Sequence, residues 1–143
     1  MPTIKLKSLI MEINRGVTND QLTKPETIPS RLYHATFSSL TNNIIKYGLI
    51  PGRSSGTNFH ETDKRFVYLA ATANGAKSII EDLIANNSNL ARKYGEEVNV
   101  LTIDASKLDK RKMFMDPFSV ALGVSSYMYN GVIPPNLILD YGD

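Results

Sequence analysis

The chain has 143 residues, enough for one domain that buries a core without metals or disulfides. It contains no cysteine, which excludes a disulfide scaffold, a cysteine nucleophile and a thiolate metal site. Its 16 basic and 14 acidic residues give a formal charge of +2, which neither implies nor excludes a nucleic-acid partner.

Residues 1–30 are predicted to form an N-terminal helix and a connecting arm. Apolar residues recur at helical spacing over 5–15, and Gly16 follows as a stop. The next segment, VTNDQLTKPETIPS, is polar with two prolines and makes few demands on a core. No apolar run approaches the roughly 18 residues of a membrane span, and Glu12 interrupts the place where a signal peptide would be apolar. We therefore expect a cytoplasmic protein without membrane contact, whose main domain covers 31–143.

The segment RLYHAT at 31–36 is predicted to form a short strand, because its residues alternate and favour β structure. The hydroxyl of Ser38 or Ser39 can cap the helix that follows, and Gly48 supplies a left-handed residue at its end. The predicted buried face of that helix carries Leu40, Ile44 and Tyr47. The polar stretch PGRSSGTNFHETDK at 51–64 is long for a compact domain, which is typical of a binding loop.

The rest of the chain is predicted to contain more strands than helices. RFVYLA at 65–70 is expected to be a second strand, and Thr72 can cap the helix after it. The buried stripe of that helix is expected to contain Ala76, Ile79, Ile80, Leu83 and Ile84. Later strands are predicted in VNVLTID at 98–104, SYMYNGVI at 126–133 and LILDY at 137–141. Because these strands do not alternate regularly with helices, the pattern indicates an α+β fold.

His34 is one of only two histidines, and it lies within the apolar first strand. The simplest interpretation of such a residue is a buried histidine whose hydrogen bonds are satisfied. Tyr68 occupies the matching place in the second strand, and both strands lead directly into helices. We therefore expect the two side chains to meet in one crevice.

The order of several short motifs resembles the ADP-ribosyltransferase-like superfamily. That group includes the diphtheria-toxin-type and poly(ADP-ribose) polymerase-type transferases and the RNA 2'-phosphotransferases. The motifs are LYHAT, YGLIP, VYLA, VLTID, Asp116-Pro117 and YNGVIPPNLI, and they span about Arg31 to Ile138. The resemblance implies an α+β, ADP-ribosyltransferase-like split sheet of short strands with flanking helices, which binds NAD as a substrate without a metal.

The resemblance also implies roles for four residues of the first two strands. His34 would hydrogen-bond the ribose next to the nicotinamide, and Ala35 would let the backbone approach the carboxamide. Thr36 would support that turn, and the ring of Tyr68 would stack on the nicotinamide. The RNA 2'-phosphotransferases usually carry a histidine where Tyr68 stands, so the sequence favours the NAD-consuming branch.

Cleavage of the nicotinamide–ribose bond develops positive charge on the sugar, so an enzyme of this kind usually needs a carboxylate. In the active transferases a glutamate begins a late strand. The positions that could align here are Ser125, Ser126 and Tyr127, none of them acidic, and Ser126 is the candidate catalytic position. Three alternatives follow: an enzyme that uses another group, one that borrows Glu61 or Asp63 from the polar loop, or a binding protein without catalysis.

The remaining polar candidates are weaker. Arg53 is the candidate contact for the NAD diphosphate and Arg65 is a second, since a guanidinium offers a fork of donors to phosphate oxygens. The loop segment HETD at 60–63 contains metal-ligand types, but without a second cluster at metal spacing a solvated loop is the simpler interpretation. Asp104 and Asp116 are expected to cap turns.

The leading hypothesis is an NAD-binding, ADP-ribosyltransferase-like protein that cleaves the nicotinamide–ribose bond and transfers ADP-ribose to an unidentified protein or nucleic-acid acceptor. The first alternative is a catalytically inactive binding or interaction module of the same fold. The second is an NAD-dependent activity like that of the RNA 2'-phosphotransferases. Tyr68 and the thin supply of basic residues for gripping RNA argue against this second alternative.

Overall fold

The structure, a computed structural model, describes four stretches of the chain, residues 22–52, 65–86, 88–117 and 125–142. The helix predicted over 5–15 lies outside the described residues, as do Arg53 and the loop segment 60–63. The strands are β1 (Arg31–Phe37), β2 (Val67–Ala70), β3 (Val98–Asp104), β4 (Met113–Met115), β5 (Ser126–Tyr129) and β6 (Ile138–Asp140). The α-helices are α1 (Thr41–Tyr47), α2 (Ala73–Asn86) and α3 (Ser88–Tyr94).

The strands of the described residues form one six-stranded sheet with the order β4-β5-β2-β1-β3-β6, and every neighbouring pair is antiparallel. β1 and β3 share seven paired positions, and β2 and β5 share four. β1 and β2, at the centre, share one, Tyr33 with Ala70. We name the strands on either side of this pair the first leaf (β1, β3 and β6) and the second leaf (β2, β4 and β5), and we call the boundary between them the split. With its flanking helices, this sheet confirms the predicted α+β class.

Side chains of β1 are buried on both faces of the sheet. Alternate residues of the strand point to opposite faces. Leu32 packs in the first core cluster, which also contains Leu69 of β2 and Leu101 of β3. Ala35 points to the other face and packs in the second core cluster, against α2. Because alternate residues of a strand share a face, His34 lies on the side of the first core cluster.

α2 covers one face of the first leaf, and it has the cap and the buried stripe that its sequence predicts. The backbone N–H of Gly75 donates to Oγ1 of Thr72 at 3.0 Å, which confirms the predicted cap. The predicted stripe packs in or against the second core cluster: Ala76, Ile79, Ile80, Leu83 and Ile84. None of the helices in the described part of the chain combines the length and the apolar character that a membrane span requires.

The start of α1 differs from the prediction. The chain first makes a short 3₁₀ turn, and no side chain caps α1. Oγ of Ser38 donates to Oδ1 of Asn99 at 3.1 Å, and Oγ of Ser39 donates to the carbonyl of Tyr94 at 2.7 Å. Both serines therefore bind distant elements rather than the helix that they precede.

The end of α1 agrees with the prediction in stopping at Gly48 and differs at Tyr47. Gly48 stops the helix with a positive φ of 82°, which favours glycine, but its ψ of −170° lies outside the left-handed helical conformation that was predicted. Ile44 is fully buried, whereas Tyr47 is 54% exposed. A helix of seven residues packs through a narrow stripe around Ile44, and Tyr47 falls outside it.

β4 forms one edge of the sheet and was not predicted. On the side away from β5, the backbone N–H of Met115 donates to the carbonyl of Thr23 at 2.8 Å. Leu22 packs against a small third core cluster of Phe66 and Met128. The described part of the connecting arm is thus attached to the sheet, although its composition predicted few contacts with the core.

Candidate functional site

His34 joins the two leaves at the split. The residue is 2% exposed, and its Nδ1 lies 2.7 Å from the carbonyl oxygen of Tyr68. Backbone pairing between β1 and β2 does not continue past Tyr33 and Ala70. A buried carbonyl needs a hydrogen-bond donor, and here the imidazole provides it where the neighbouring strand does not.

This contact fixes the tautomer of His34. A backbone carbonyl can only accept a hydrogen bond, so Nδ1 must carry the proton that it donates to Tyr68. In the neutral ring, Nε2 then bears the lone pair. The contact of His34 with the main chain of Tyr68 therefore uses Nδ1.

Tyr68 is half-buried and belongs to an aromatic group on the second leaf. Its ring stands edge-on to Phe66, with 6.5 Å between ring centroids and an interplanar angle of 68°. It packs against the third core cluster, which places it on the opposite face of the sheet from His34. The described contact between the two candidates is therefore from the His34 ring to the main chain of Tyr68, and not ring to ring as the crevice prediction expected.

The other sequence candidates on β1 flank this contact. Thr36 is fully buried on the same face as His34. Ala35 shares the face of Tyr68, because both Ala35 and Ala70 pack in the second core cluster and Ala70 is two residues along β2 from Tyr68. The split is thus bordered by His34 and Thr36 from one face and by Ala35 and Tyr68 from the other.

Ser126 is the first residue of β5, as expected of the candidate catalytic position. It is 3% exposed, and its Oγ donates to Oδ2 of Asp116 at 2.8 Å. The backbone N–H of Asp116 also donates to the carbonyl of Ser126 at 3.1 Å, which extends the β4–β5 pairing by one position. The serine is therefore held beside a carboxylate that directly follows the neighbouring strand, β4.

The sequence analysis did not identify Asp116 as a functional candidate. It was expected to cap a turn, whereas the structure places it 5% exposed with the cross-strand contact to Ser126. Among the described residues, the buried polar or charged ones are His34, Thr36, Asp116 and Ser126. Three of these four were already candidate site residues from the sequence. Burial of its charged side chain is the observation that adds Asp116 to the candidate site.

A separate group of charges lies on the surface just before β4. Asp109 accepts hydrogen bonds from the backbone N–H of Arg111 at 3.0 Å and from its guanidinium at 3.1 Å. The guanidinium hydrogen bonds, followed by the backbone one, hold the pKa of the Asp109 carboxyl below its usual value. The pair satisfies itself within the exposed turn, as expected of a solvated charged segment.

Known proteins and metal geometry add no assignment. No family model matches the chain, and no curated protein matches it either. Within the described stretches, no group of three or more His, Asp or Glu side chains is arranged to hold a metal ion. Function therefore has to follow from the residues at the split and at the start of β5.

Proposed function

We propose that this protein is ADP-ribosyltransferase-like: it binds NAD at the split between the two leaves, cleaves the nicotinamide–ribose bond and transfers ADP-ribose to a protein or nucleic-acid acceptor. The observation that carries the proposal is the hydrogen bond from His34 across the split to Tyr68. It joins the ring of one residue with a role implied by the family resemblance, His34, to the main chain of another, Tyr68. The split in the sheet supports the same proposal, because the resemblance implies a split sheet.

The residues at the split have the chemistry that NAD requires. Past Tyr33 and Ala70 no further backbone pairs join β1 and β2, and side chains from both faces of the sheet flank this point. In this proposal Nε2 of His34 is the atom for a ribose hydroxyl, and the ring of Tyr68 is the platform for the nicotinamide. Ala35 has the small side chain that a close approach of the ligand to the backbone needs.

The experiment that tests this proposal is titration of NAD into wild type, Tyr68→Leu and Tyr127→Leu. Leucine keeps most of the apolar volume of tyrosine but removes the aromatic face. Tyr127 is the matched control, since it is also half-buried, on the adjacent strand, and pairs with Leu69 rather than lying at the split.

We expect NAD to bind wild type and Tyr127→Leu equally. Tyr68→Leu should bind more weakly by about 1 to 3 kcal/mol, the usual cost of removing an aromatic platform from under a base. Calorimetry or a fluorescence titration gives these affinities directly. Equal affinities of all three proteins would contradict the assignment of the pocket.

One observation favours a second candidate function, a binding module of the same fold that does not catalyse. The four residues of β5 are Ser126, Tyr127, Met128 and Tyr129, so this strand carries no carboxylate. Such a module would bind NAD without releasing nicotinamide. Assay of nicotinamide release beside the titration separates the two functions, because only an enzyme consumes the bound NAD.

A further inference from the structure

Asp116 is the one carboxylate among the buried residues of the described part of the chain. Burial of a charged carboxylate is costly unless hydrogen bonds compensate it, and an acid kept in such a place is more often functional than an acid on the surface. Ser126 provides one such hydrogen bond through its Oγ, at 2.8 Å from Oδ2 of Asp116. The pair therefore needs an explanation that a turn cap does not give.

We propose that Asp116 supplies the carboxylate for cleavage of NAD, and that Ser126 is a positioning residue that holds it. This inference rests on the function proposed above. It explains how the start of β5 can serve that reaction although its own first residue is not acidic. The carboxylate comes from the residue that follows the neighbouring strand, β4, and it accepts a hydrogen bond from the side chain of Ser126.

The pairing of the strands places Asp116 in line with the split. The backbone of Asp116 bonds Ser126, Ser126 pairs with Ala70, and Ala70 pairs with Tyr33. These four residues form one row across the sheet, and the row ends at the single pair that closes the split. With strands about 4.8 Å apart, the main chains of Asp116 and Ala70 are about 10 Å apart, and the Asp116 side chain reaches toward Ser126 within that distance.

The same row puts Asp116 on the face of Tyr68. Paired residues of an antiparallel sheet share a face, so Ser126 lies on the face of Ala70, and Tyr68 is two residues along the same strand. The aromatic platform and the carboxylate are thus on one side of the second leaf. His34 approaches the same strand across the split, through the carbonyl of Tyr68.

The chemistry of the step balances with water as co-reactant. The bond between the ribose and nicotinamide breaks, and its electron pair leaves with nicotinamide. The charge of Asp116 stabilises the positive charge that develops on the ribose. The oxygen of water, or of an acceptor hydroxyl, forms the new bond to the ribose, and its proton passes to the Asp116 carboxylate and from there to solvent.

The test measures NAD affinity and nicotinamide release separately for wild type, Asp116→Asn, Ser126→Ala, Ser126→Thr and Asp140→Asn. Asparagine is close in shape to aspartate and can still accept from Ser126, so Asp116→Asn removes the charge with little change in packing. Asp140, an exposed carboxylate on β6 at the opposite edge of the sheet, is the matched control.

We expect Asp116→Asn to bind NAD as wild type does and to release nicotinamide about 100-fold more slowly or worse, the usual loss when one preorganised electrostatic group is removed. Ser126→Ala should lower kcat without weakening NAD affinity. Ser126→Thr, which keeps a hydroxyl, should recover turnover. Asp140→Asn should match wild type in both measurements. If Asp116→Asn does not fold, the contrast between Ser126→Ala and Ser126→Thr carries the test.

Three results would overturn the inference, and they differ in how much of the proposed function remains. Undiminished release by Asp116→Asn, in a protein whose wild type is active, removes the role of Asp116 and leaves the proposed function. Binding of NAD by wild type without any release of nicotinamide leaves a binding module only. Failure of wild type to bind NAD removes the proposed function, and this inference with it.

Discussion

At the split, the imidazole of His34 donates the hydrogen bond that a backbone N–H donates elsewhere in the sheet. Its Nδ1–H satisfies the carbonyl of Tyr68 at 2.7 Å, in a place where the two central strands have stopped pairing. The simplest sequence interpretation, a satisfied buried histidine, and the proposed ligand role are therefore compatible. The structural contact uses Nδ1, and the proposed contact with the ribose would use Nε2.

These two roles of His34 predict different stabilities for the substitutions His34→Asn and His34→Ala. In asparagine, Nδ2 lies nearly where Nδ1 of histidine lies, so His34→Asn retains the donor to Tyr68 and loses the rest of the ring. His34→Ala loses both. We expect His34→Ala to unfold at a lower urea concentration than wild type, because the unsatisfied carbonyl lowers the free energy of unfolding by about 1 to 3 kcal/mol. His34→Asn should be more stable than His34→Ala.

Both variants of His34 should lose NAD affinity, because both lack Nε2. Urea unfolding followed by circular dichroism measures the stability, and titration measures the affinity. An asparagine variant as unstable as the alanine variant would show that the bond to Tyr68 contributes little. An asparagine variant with full NAD affinity would remove the ligand role.

Single elements of the fold were predictable where their own sequence carries the signal. The cap of α2 by Thr72 and the stripe that includes Ile80 follow from local hydrogen bonding and helical period. β4 has neither signal: its three residues become a strand only by pairing with β5. Ser38 was predicted as a cap because the sequence does not show that Asn99, far along the chain, competes for its hydroxyl.

The candidate site was predictable to a similar extent. His34 and Tyr68 were correctly expected in two strands that precede helices. That they meet through the main chain, with rings on opposite faces, depends on where β1 and β2 stop pairing. Asp116 was expected to cap a turn for a related reason, since its contact with Ser126 appears only when the register of β4 against β5 is known.

The capping contact of α2 gives a prediction for that element. Thr72→Ala should lower the free energy of unfolding by about 1 kcal/mol, because the N–H of Gly75 loses its acceptor. Thr72→Ser, which keeps the hydroxyl, should lose much less. Urea denaturation of the three proteins measures the difference. Equal losses for alanine and serine would show that the methyl group of Thr72, rather than its hydroxyl, stabilises the helix.

Across the whole molecule, the first core cluster packs side chains of the two leaves against each other. Leu32 and Leu101 come from the first leaf, and Val67 and Leu69 come from the second, yet all pack in one apolar group. Backbone pairing across the centre is a single position, so side-chain packing provides most of the coupling between leaves. The leaves should therefore unfold together.

Leu69→Ala tests this coupling. Loss of a fully packed leucine should cost about 2 to 5 kcal/mol. Native-state hydrogen exchange should show that loss in the slowest amides of β3 as well as β5, although the substitution is in the second leaf. A loss of protection confined to β2, β4 and β5 would mean that the leaves unfold independently.

The two leaves are also interleaved along the chain, since the first takes β1, β3 and β6 and the second takes β2, β4 and β5. A proteolytic cut anywhere between β2 and β5 leaves neither fragment with a complete leaf. The two fragments would have to associate and pair their strands with each other to form the sheet. A nicked molecule should therefore stay assembled until denatured, and a single fragment should not fold as a smaller version of the whole.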